Sequence, residues 1–405
     1  MPGQAAGAAA IDAAIDAAID ITIDMRDEMA AGRFDPARDR VGVRGGGEPL
    51  SWQRTLVAQP GPEAGLWRVR AVFVGVPAEG RTVAYKFKID RPGRSEDDGW
   101  EPGPNRSLVL SRGAGSLQRA FGTQPGAPPP QRTGLIERIA PLPSAFVEPR
   151  EVQVWLPPGY GSEPQRRFPV LYLHDGQNVF DHVAAGAEWQ VDETAQRLVL
   201  AGAVRPLIIV AVSSTGSRRL DYTPVAMRGR DGATEGGGAA LYARYLVQEL
   251  KPFIDTQYRT QPGRAATAVG GSSLGGLVSM WLALNHGDVF GAALVVSPST
   301  WWADEIIVAQ VQAMPACSAA SALASAPPSP PLPRLWLDMG VEEGPGMVAG
   351  ARRLRGALQA CGWAPAYLEQ PRAGHDEAAW AARVEPMLRF LDAGFPQAPN
   401  GVTRP

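Results

Sequence analysis

Ile19, Ile21, Ile23 and Met25 alternate with polar residues, the period-two pattern of a strand with one face buried and the other in water. Strand-like runs recur at residues 65–74 and 82–89, separated by Gly, Pro and charged residues, so a small all-β sandwich is predicted over residues 19–112. Ahead of it, residues 1–18 read as a low-complexity leader: an Ile-Asp-Ala-Ala repeat brings back Ile11, Ile15 and Ile19 every fourth residue, which suits one face of a helix or a disordered segment. Residues 113–134 turn to Gly, Ser, Gln and Pro, with Pro128, Pro129 and Pro130 in succession, the composition of an exposed linker.

Beyond the linker the pattern changes. Short apolar runs without polar alternation fall at residues 152–156, 169–173, 206–212, 266–269, 292–296 and 335–337, with helical patterns at 189–200, 241–258 and 274–285 among them. Such runs, each covered by helices on both faces, predict a mostly parallel sheet. Residues 135–396 are therefore expected to form an α/β hydrolase fold with a mostly parallel central sheet, preceded by the small all-β sandwich domain. Residues 319–333, rich in Ala, Ser and Pro, read as a flexible insertion, and residues 397–405 as a tail.

The length of 405 residues accommodates two domains, and 45% hydrophobic residues supply a sizeable core. A formal net charge of -2 gives no field to gather nucleic acid or an anionic membrane, so neither partner is expected. The first residues lack a basic segment followed by an apolar core, and no later run has the length and apolarity of a membrane span; a soluble, unexported, cytoplasmic protein is the expectation. Cys317 and Cys361 are the only cysteines, too few for a disulfide framework, and no Cys or His cluster has metal-ligand spacing. No metal or cofactor is expected.

Chemistry enters at Gly271-Ser272-Ser273-Leu274-Gly275, where Gly-x-Ser-x-Gly joins an apolar run to an apolar helical pattern. A serine on so sharp a strand-to-helix turn is a nucleophile elbow, with small residues two positions either side. Ser273 is the candidate nucleophile, and Leu274, at the helix start, has a backbone N–H free to stabilise an oxyanion. A serine hydroxyl needs a base, and the chain has four histidines. His174 ends an apolar strand, His182 lies in the following loop and His286 caps the helix after Ser273; His375, after a strand candidate at 366–369 and before a final helix, fits the order serine, acid, histidine. The acid belongs in the loop after residues 335–337, where Glu343 is preferred to Glu342 and Asp338 because a loop residue turns back more readily towards His375. The loop after 169–173 offers Gln177 as the second oxyanion donor, with Gly176 letting the backbone approach a ligand.

His174-Asp175-Gly176-Gln177-Asn178, Arg219-Leu220-Asp221-Tyr222-Thr223-Pro224, the segment around Ser273, Ser297-Pro298-Ser299-Thr300-Trp301-Trp302 and Gly374-His375-Asp376 together resemble the esterase family that includes enterochelin (ferric siderophore) esterases and feruloyl esterase domains. The resemblance covers roughly residues 135–395 and implies a serine carboxylic ester hydrolase acting on a small-molecule ester, with Ser273 and His375 at the positions of nucleophile and base. It keeps Glu343 in register with the family's acid but has Val341 where a threonine is usual. Arg219, Tyr222 and Trp301, in the matched motifs, are candidates for the substrate side; an arginine there suits an anionic or catecholate group. Residues 85–106, with Lys86 and Trp100, are similar to the second half of starch-binding carbohydrate modules, which implies a glycan as partner through these two side chains. A different class of function is thereby implied as well, a glycan-binding protein whose hydrolase domain serves as scaffold.

Overall fold

The computed structural model describes residues 15–76, 81–93, 99–101, 105–110, 113–122, 132–181, 188–229, 232–314 and 331–396. The expectations for residues 1–14 and 123–131, for His182 and Cys317, for most of the 319–333 insertion and for the tail lie outside them. The described residues form two compact units, one ending at Gly122 and the other starting at Arg132.

The first unit consists of β1 (Ile15–Asp24), α1 (Arg26–Ala30), β2 (Arg40–Gly45), β3 (Leu56–Val57), β4 (Gln59–Pro60), β5 (Leu66–Val76), β6 (Arg81–Asp90), β7 (Arg106–Leu110) and β8 (Gly113–Ala120). Two four-stranded sheets, in the orders β4-β5-β1-β8 and β3-β2-β6-β7, enclose one apolar core. Ile19, Ile21, Ile23 and Phe73 face Val41, Val43, Tyr85 and Phe87 across it, as two inward faces of a sandwich do. Beside this core Glu101 accepts hydrogen bonds from the Arg106 guanidinium and from Phe87 N, so a carboxylate with no exposed surface is paired and bonded as burial demands.

Two boundaries differ from the sequence expectation. β1 starts at Ile15 rather than Ile19: a four-residue repeat is also an even one, so residues 17, 19, 21 and 23 all fall on the buried face. Residues 113–120 are a strand and not linker. β8 pairs in parallel with β1 from Ala17↔Gly113 to Asp24↔Ala120, and its composition misled because it offers the core little more than the Leu117 side chain beside its backbone hydrogen bonds. Farther on, Arg132 to Gly134 are also held: Thr133 N donates to Asp192, and the Trp155 indole N–H donates to Thr133 O.

The second unit contains the α/β hydrolase sheet. Its strands are β9 (Leu135–Ile139), β10 (Val152–Leu156), β11 (Val170–His174), β12 (Ile208–Val212), β15 (Thr267–Ser272), β16 (Ala292–Val296), β17 (Arg334–Gly340) and β18 (Ala366–Gln370), with β13 (Ala226–Arg228) and β14 (Thr234–Gly236) forming a separate hairpin. The order is β18-β17-β16-β15-β11-β12-β10-β9; β10 pairs antiparallel with both of its neighbours, β12 and β9, and all the other pairs are parallel. β10, β11, β12, β15 and β16 are buried along their whole length, which is why they read as unbroken apolar runs. The helices are α2 (Val191–Leu200), α3 (Arg218–Asp221), α4 (Ala239–Arg244), α5 (Lys251–Gln257), α6 (Leu274–Asn285), α7 (Ile306–Gln312), α8 (Pro345–Ala360), α9 (Glu377–Ala381) and α10 (Val384–Gly394). Separate apolar clusters cover the two faces of the sheet, and α6 lies deep in one of them, apolar on nearly every side. The single helix expected at 241–258 is divided by a π-helical stretch at Tyr245–Leu250; Pro252, which has no N–H, sits at the start of α5. No helix among the described residues is long and apolar enough to cross a membrane.

Candidate active site

β15 ends at Ser272 and α6 begins at Leu274, so Ser273 alone makes the turn between strand and helix. It does so with φ 58° and ψ -121°, a conformation an L-residue adopts only when the surroundings impose it. The surroundings here are backbone and the His174 ring. A Cβ on Gly271 would lie 3.0 Å from Gly275 C and from His174 Cδ2, and one on Gly276 would lie 2.6 Å from Val296 O. A Cβ on Gly275 would meet nothing closer than 3.4 Å, so the second position requiring glycine is 276 rather than 275. Ser273 N donates to Val296 O, while Leu274 N, at the first helical position, has no acceptor within the helix.

His375 lies in the loop between β18 and α9. Its Nδ1 is 2.7 Å from Glu343 Oε2; a carboxylate oxygen only accepts, so Nδ1 carries the proton and Nε2 presents a lone pair. The Glu343 side chain has no exposed surface and that of His375 only 16%. Gly340 N also donates to Glu343 Oε1 at 2.8 Å, and the imidazole packs edge-on against Trp380, ring centroids 5.1 Å apart. The acid loop is stapled to the histidine loop by Glu342 N donating to Ala373 O. Glu342 itself is exposed. Asp338 is buried in β17 and turned elsewhere, its Oδ1 accepting from Arg383 Nη1 at 2.9 Å and its Oδ2 from Trp336 Nε1 at 2.7 Å. Burial pushes the Asp338 carboxyl up to about 6, against the opposing pull of Arg383, Trp336 and Ser297 N–H.

The loop after β11 adjoins the elbow: the Cβ position of Gly275 is 3.4 Å from His174 Cβ and Asp175 Oδ2. Its only residue between 171 and 180 not fully buried is Gln177. The Gln177 side chain is tied to the end of β12, donating to Ser214 Oγ and accepting from Ser214 N, which leaves its main-chain N–H as the group on offer. Gly176 is required for a reason other than ligand approach, since a Cβ there would meet Ala211 C at 2.6 Å. Asn178 Nδ2 donates to Glu377 Oε1 at 3.1 Å, joining this loop to the helix that follows His375.

His174 is buried, shares a hydrogen bond with Tyr242 Oη at 2.9 Å, and is kept neutral because burial lowers its pKa to about 3. His286 closes α6 beside Trp281. Asp175 is ionised: burial acts to raise its pKa, but the bidentate Arg218 guanidinium at 2.8 Å outweighs it and the net shift is downward.

Three side chains expected on the substrate side are placed otherwise or only in part. Tyr222 has no exposed surface, and its hydroxyl accepts from Asp175 N; it supports the loop and cannot touch a substrate. Arg219 pairs with Glu235 at 3.3 Å and lies 5.4 Å from the Trp302 ring centroid, so internal partners hold its charge. Trp301 is half-buried beside Trp302, ring centroids 5.8 Å apart, and packs against the apolar core. In the first unit, Trp100 is half-buried on the outer face of the β2-β6 pair. Among the described residues the cations over its ring are Arg44 at 5.4 Å and Lys88 at 5.5 Å, not Lys86, with Trp52 at 6.2 Å.

The sequence reasoning missed the loop after β16. Ser299 N donates to Ser273 O, and the two hydroxyls are 3.2 Å apart; Ser297 Oγ donates to Glu343 Oε1. One loop thus touches both serine elbow and acid. Its signal in the sequence is the Ser297-Pro298-Ser299 motif. Among the described residues, the Ser273 hydroxyl bonds to Ser299 and not to His375.

A family model described as Putative esterase matches residues 144–391. The ferri-bacillibactin esterase BesA of Bacillus subtilis is 29% identical over 153 residues, covering 34% of this chain and 50% of that protein. An endo-1,4-beta-xylanase/feruloyl esterase of Xylanibacter ruminicola is 26% identical over 180 residues, covering 43% of this chain and 23% of that one. The chain spans half or less of the length of these two curated relatives. Among solved structures, the enterobactin esterase FES of Shigella flexneri with enterobactin aligns with a TM-score of 0.51 at 16% identity over 87% of each chain. The BES protein of Bacillus cereus aligns with a TM-score of 0.52 at 20% identity, over 67% of this chain and 99% of that one. At such identities the structural likeness is one of fold. The family model, by contrast, takes in more than half of the chain, from ahead of β10 into α10 and through every loop of the site, and the chain belongs to the Putative esterase family.

Proposed function

We propose that the protein is a serine carboxylic ester hydrolase that works through an acyl-enzyme on a small ester. The observation that carries the reading is the buried Glu343–His375 pair at 2.7 Å in the same cluster of loops as a serine held at φ 58°. In the cycle, Ser273 Oγ leaves Ser299 for His375 Nε2, gives up its proton and attacks the ester carbonyl. Glu343 holds the imidazole in its Nδ1–H tautomer and offsets the positive charge that develops. The N–H groups of Leu274 and Gln177 hold the oxyanion of the tetrahedral intermediate. His375 then protonates the departing alcohol, and water, deprotonated by the same nitrogen, releases the acid.

The substrate classes that suit the reading are a siderophore trilactone and an acyl-sugar ester such as a feruloyl or acetyl ester. Relatives named for siderophore and feruloyl esters support these two. With Arg219 and Tyr222 engaged internally, Trp301 is the remaining candidate wall among the three substrate-side residues. The test is hydrolysis of a generic aryl ester by the native protein and by Ser273→Ala, followed by a panel of siderophore, feruloyl and acetyl-xylan esters. Ser273→Ala should stay folded and lose nearly all turnover, because it removes the attacking atom and little packing. Turnover within roughly tenfold of native would overturn the assignment. A native protein that hydrolyses nothing yet is retained on α-glucan would favour the glycan-binding scaffold instead.

A further inference from the structure

Ser297 follows the last residue of β16, is wholly buried, and has φ 41°, in the left-handed region that a serine seldom occupies. Three polar groups converge on its hydroxyl. Arg383 Nη2 and Trp380 Nε1 each lie 3.1 Å from Ser297 Oγ, and Glu343 Oε1 takes the third direction.

Guanidinium and indole nitrogens are donors only, so both must donate to Ser297 Oγ and between them they occupy its two lone pairs. The hydroxyl has one proton, and a single acceptor remains for it. Its polarity is therefore fixed: the proton points at Glu343 Oε1 and cannot rotate away without leaving a buried donor unpaired. Arg383 is itself buried, with Nη1 on Asp338 and Nη2 3.9 Å from Glu343 Oε1, so its charge also lies close to the acid. With Oε1 occupied by Ser297 and by Gly340 N, Oε2 is left to face His375.

We propose that Ser297 is a positioning residue for the acyl-transfer site, a hydroxyl whose direction is locked by Arg383 and Trp380 so that Glu343 stays turned to His375. The inference rests on the reading of Ser273, His375 and Glu343 as a triad. Ser297 touches no reacting atom; it acts through Glu343 on the stability of the imidazolium.

The experiment measures kcat and KM for an aryl ester over pH 5–9, with kcat expressed per serine titrated by a fluorophosphonate so that unfolded protein is not counted. Ser297→Ala should lower kcat by about 10- to 100-fold, leave KM within about threefold, and displace the acidic limb of the kcat/KM profile, which a purely structural role would not move. Trp380→Phe removes one lock and keeps an aromatic ring, and should lower kcat by a smaller factor. In the double variant that factor should vanish, since there is no hydroxyl left to orient. Native kcat per titrated serine in Ser297→Ala, or equal factors for Trp380→Phe with and without Ser297, overturns the proposal. If Ser297→Ala does not fold, Trp380→Phe decides alone: an unchanged kcat and pH profile rejects the lock. Ser273→Ala and Glu343→Gln run alongside. Should either keep native turnover, the triad reading fails; should both lose it while Ser297→Ala does not, only the lock fails.

Discussion

Glu343 and Asp338 lie five residues apart and near the same guanidinium, yet only one of them faces an imidazole. Removing the charge from Glu343 leaves His375 Nδ1 without an ionic partner, whereas Asp338 is bonded to Arg383, Trp336 and Ser297 N. Glu343→Gln should therefore lower kcat for an aryl ester by at least about 100-fold, and by far more than Asp338→Asn or Glu342→Gln; a larger loss in Asp338→Asn would transfer the acid to β17. Asp338 has a separate signature in stability. Its pKa is raised by burial to about 6 from the ordinary 3.8, so the folded protein binds that proton more tightly than the unfolded chain. The stabilisation is fully present below pH 4 and is lost as pH rises through 6. Asn cannot titrate, so the Tm of Asp338→Asn relative to native should climb between pH 4 and pH 7, and a constant difference would contradict the raised pKa. At this scale the sequence made Ser273, His375 and Glu343 legible because a sharp turn and the order of residues along the chain constrain them. Ser297 and Arg383 were not legible, since their partners lie 46 and 45 residues away and a serine or arginine in isolation is commonplace.

The parallel strands were legible because burial on both faces removes polar alternation, and the mostly parallel sheet follows from them. β8 was illegible for the opposite reason: with Gly113, Ala114, Gly115 and Ser116 it offers almost no side chain to read. The loops at the strand ends pack by backbone contact, which residue patterns do not display either. Gly340 ends β17, and a Cβ there would lie 2.3 Å from Ala373 O and 2.8 Å from Glu343 Oε1. Gly340→Ala should push the acid loop away from the histidine loop and lower kcat about tenfold or more, with a stability cost of about 1–3 kcal/mol typical of overpacking. Steady-state kinetics with calorimetry checks it: native kcat in Gly340→Ala would show that the Glu343–His375 pair tolerates the displacement.

For the molecule as a whole, all the proposed catalytic residues belong to the second unit, and the two units have separate apolar cores. A chain that begins at Gln131 keeps Arg132 on Asp181 and Thr133 on Asp192 and Trp155, and should retain hydrolysis of a small soluble ester. If Trp100 has a glycan partner, that truncation and Trp100→Ala in the full chain should both abolish retention on α-glucan while leaving small-ester turnover intact. A truncated protein folded by circular dichroism yet inactive would show that the second unit does not act independently. The pairing of β1 with β8 has a mechanical consequence. Among the described residues these are the first and last strands of the unit, and they run parallel over eight residue pairs, so tension between the leading end of β1 and the trailing end of β8 acts along the strands. The pairs would bear that load together, in shear, and would have to yield together, where an antiparallel pair gripped at neighbouring ends would open one bond at a time. A pull transmitted through the chain on either side would meet the small sandwich as a clamp.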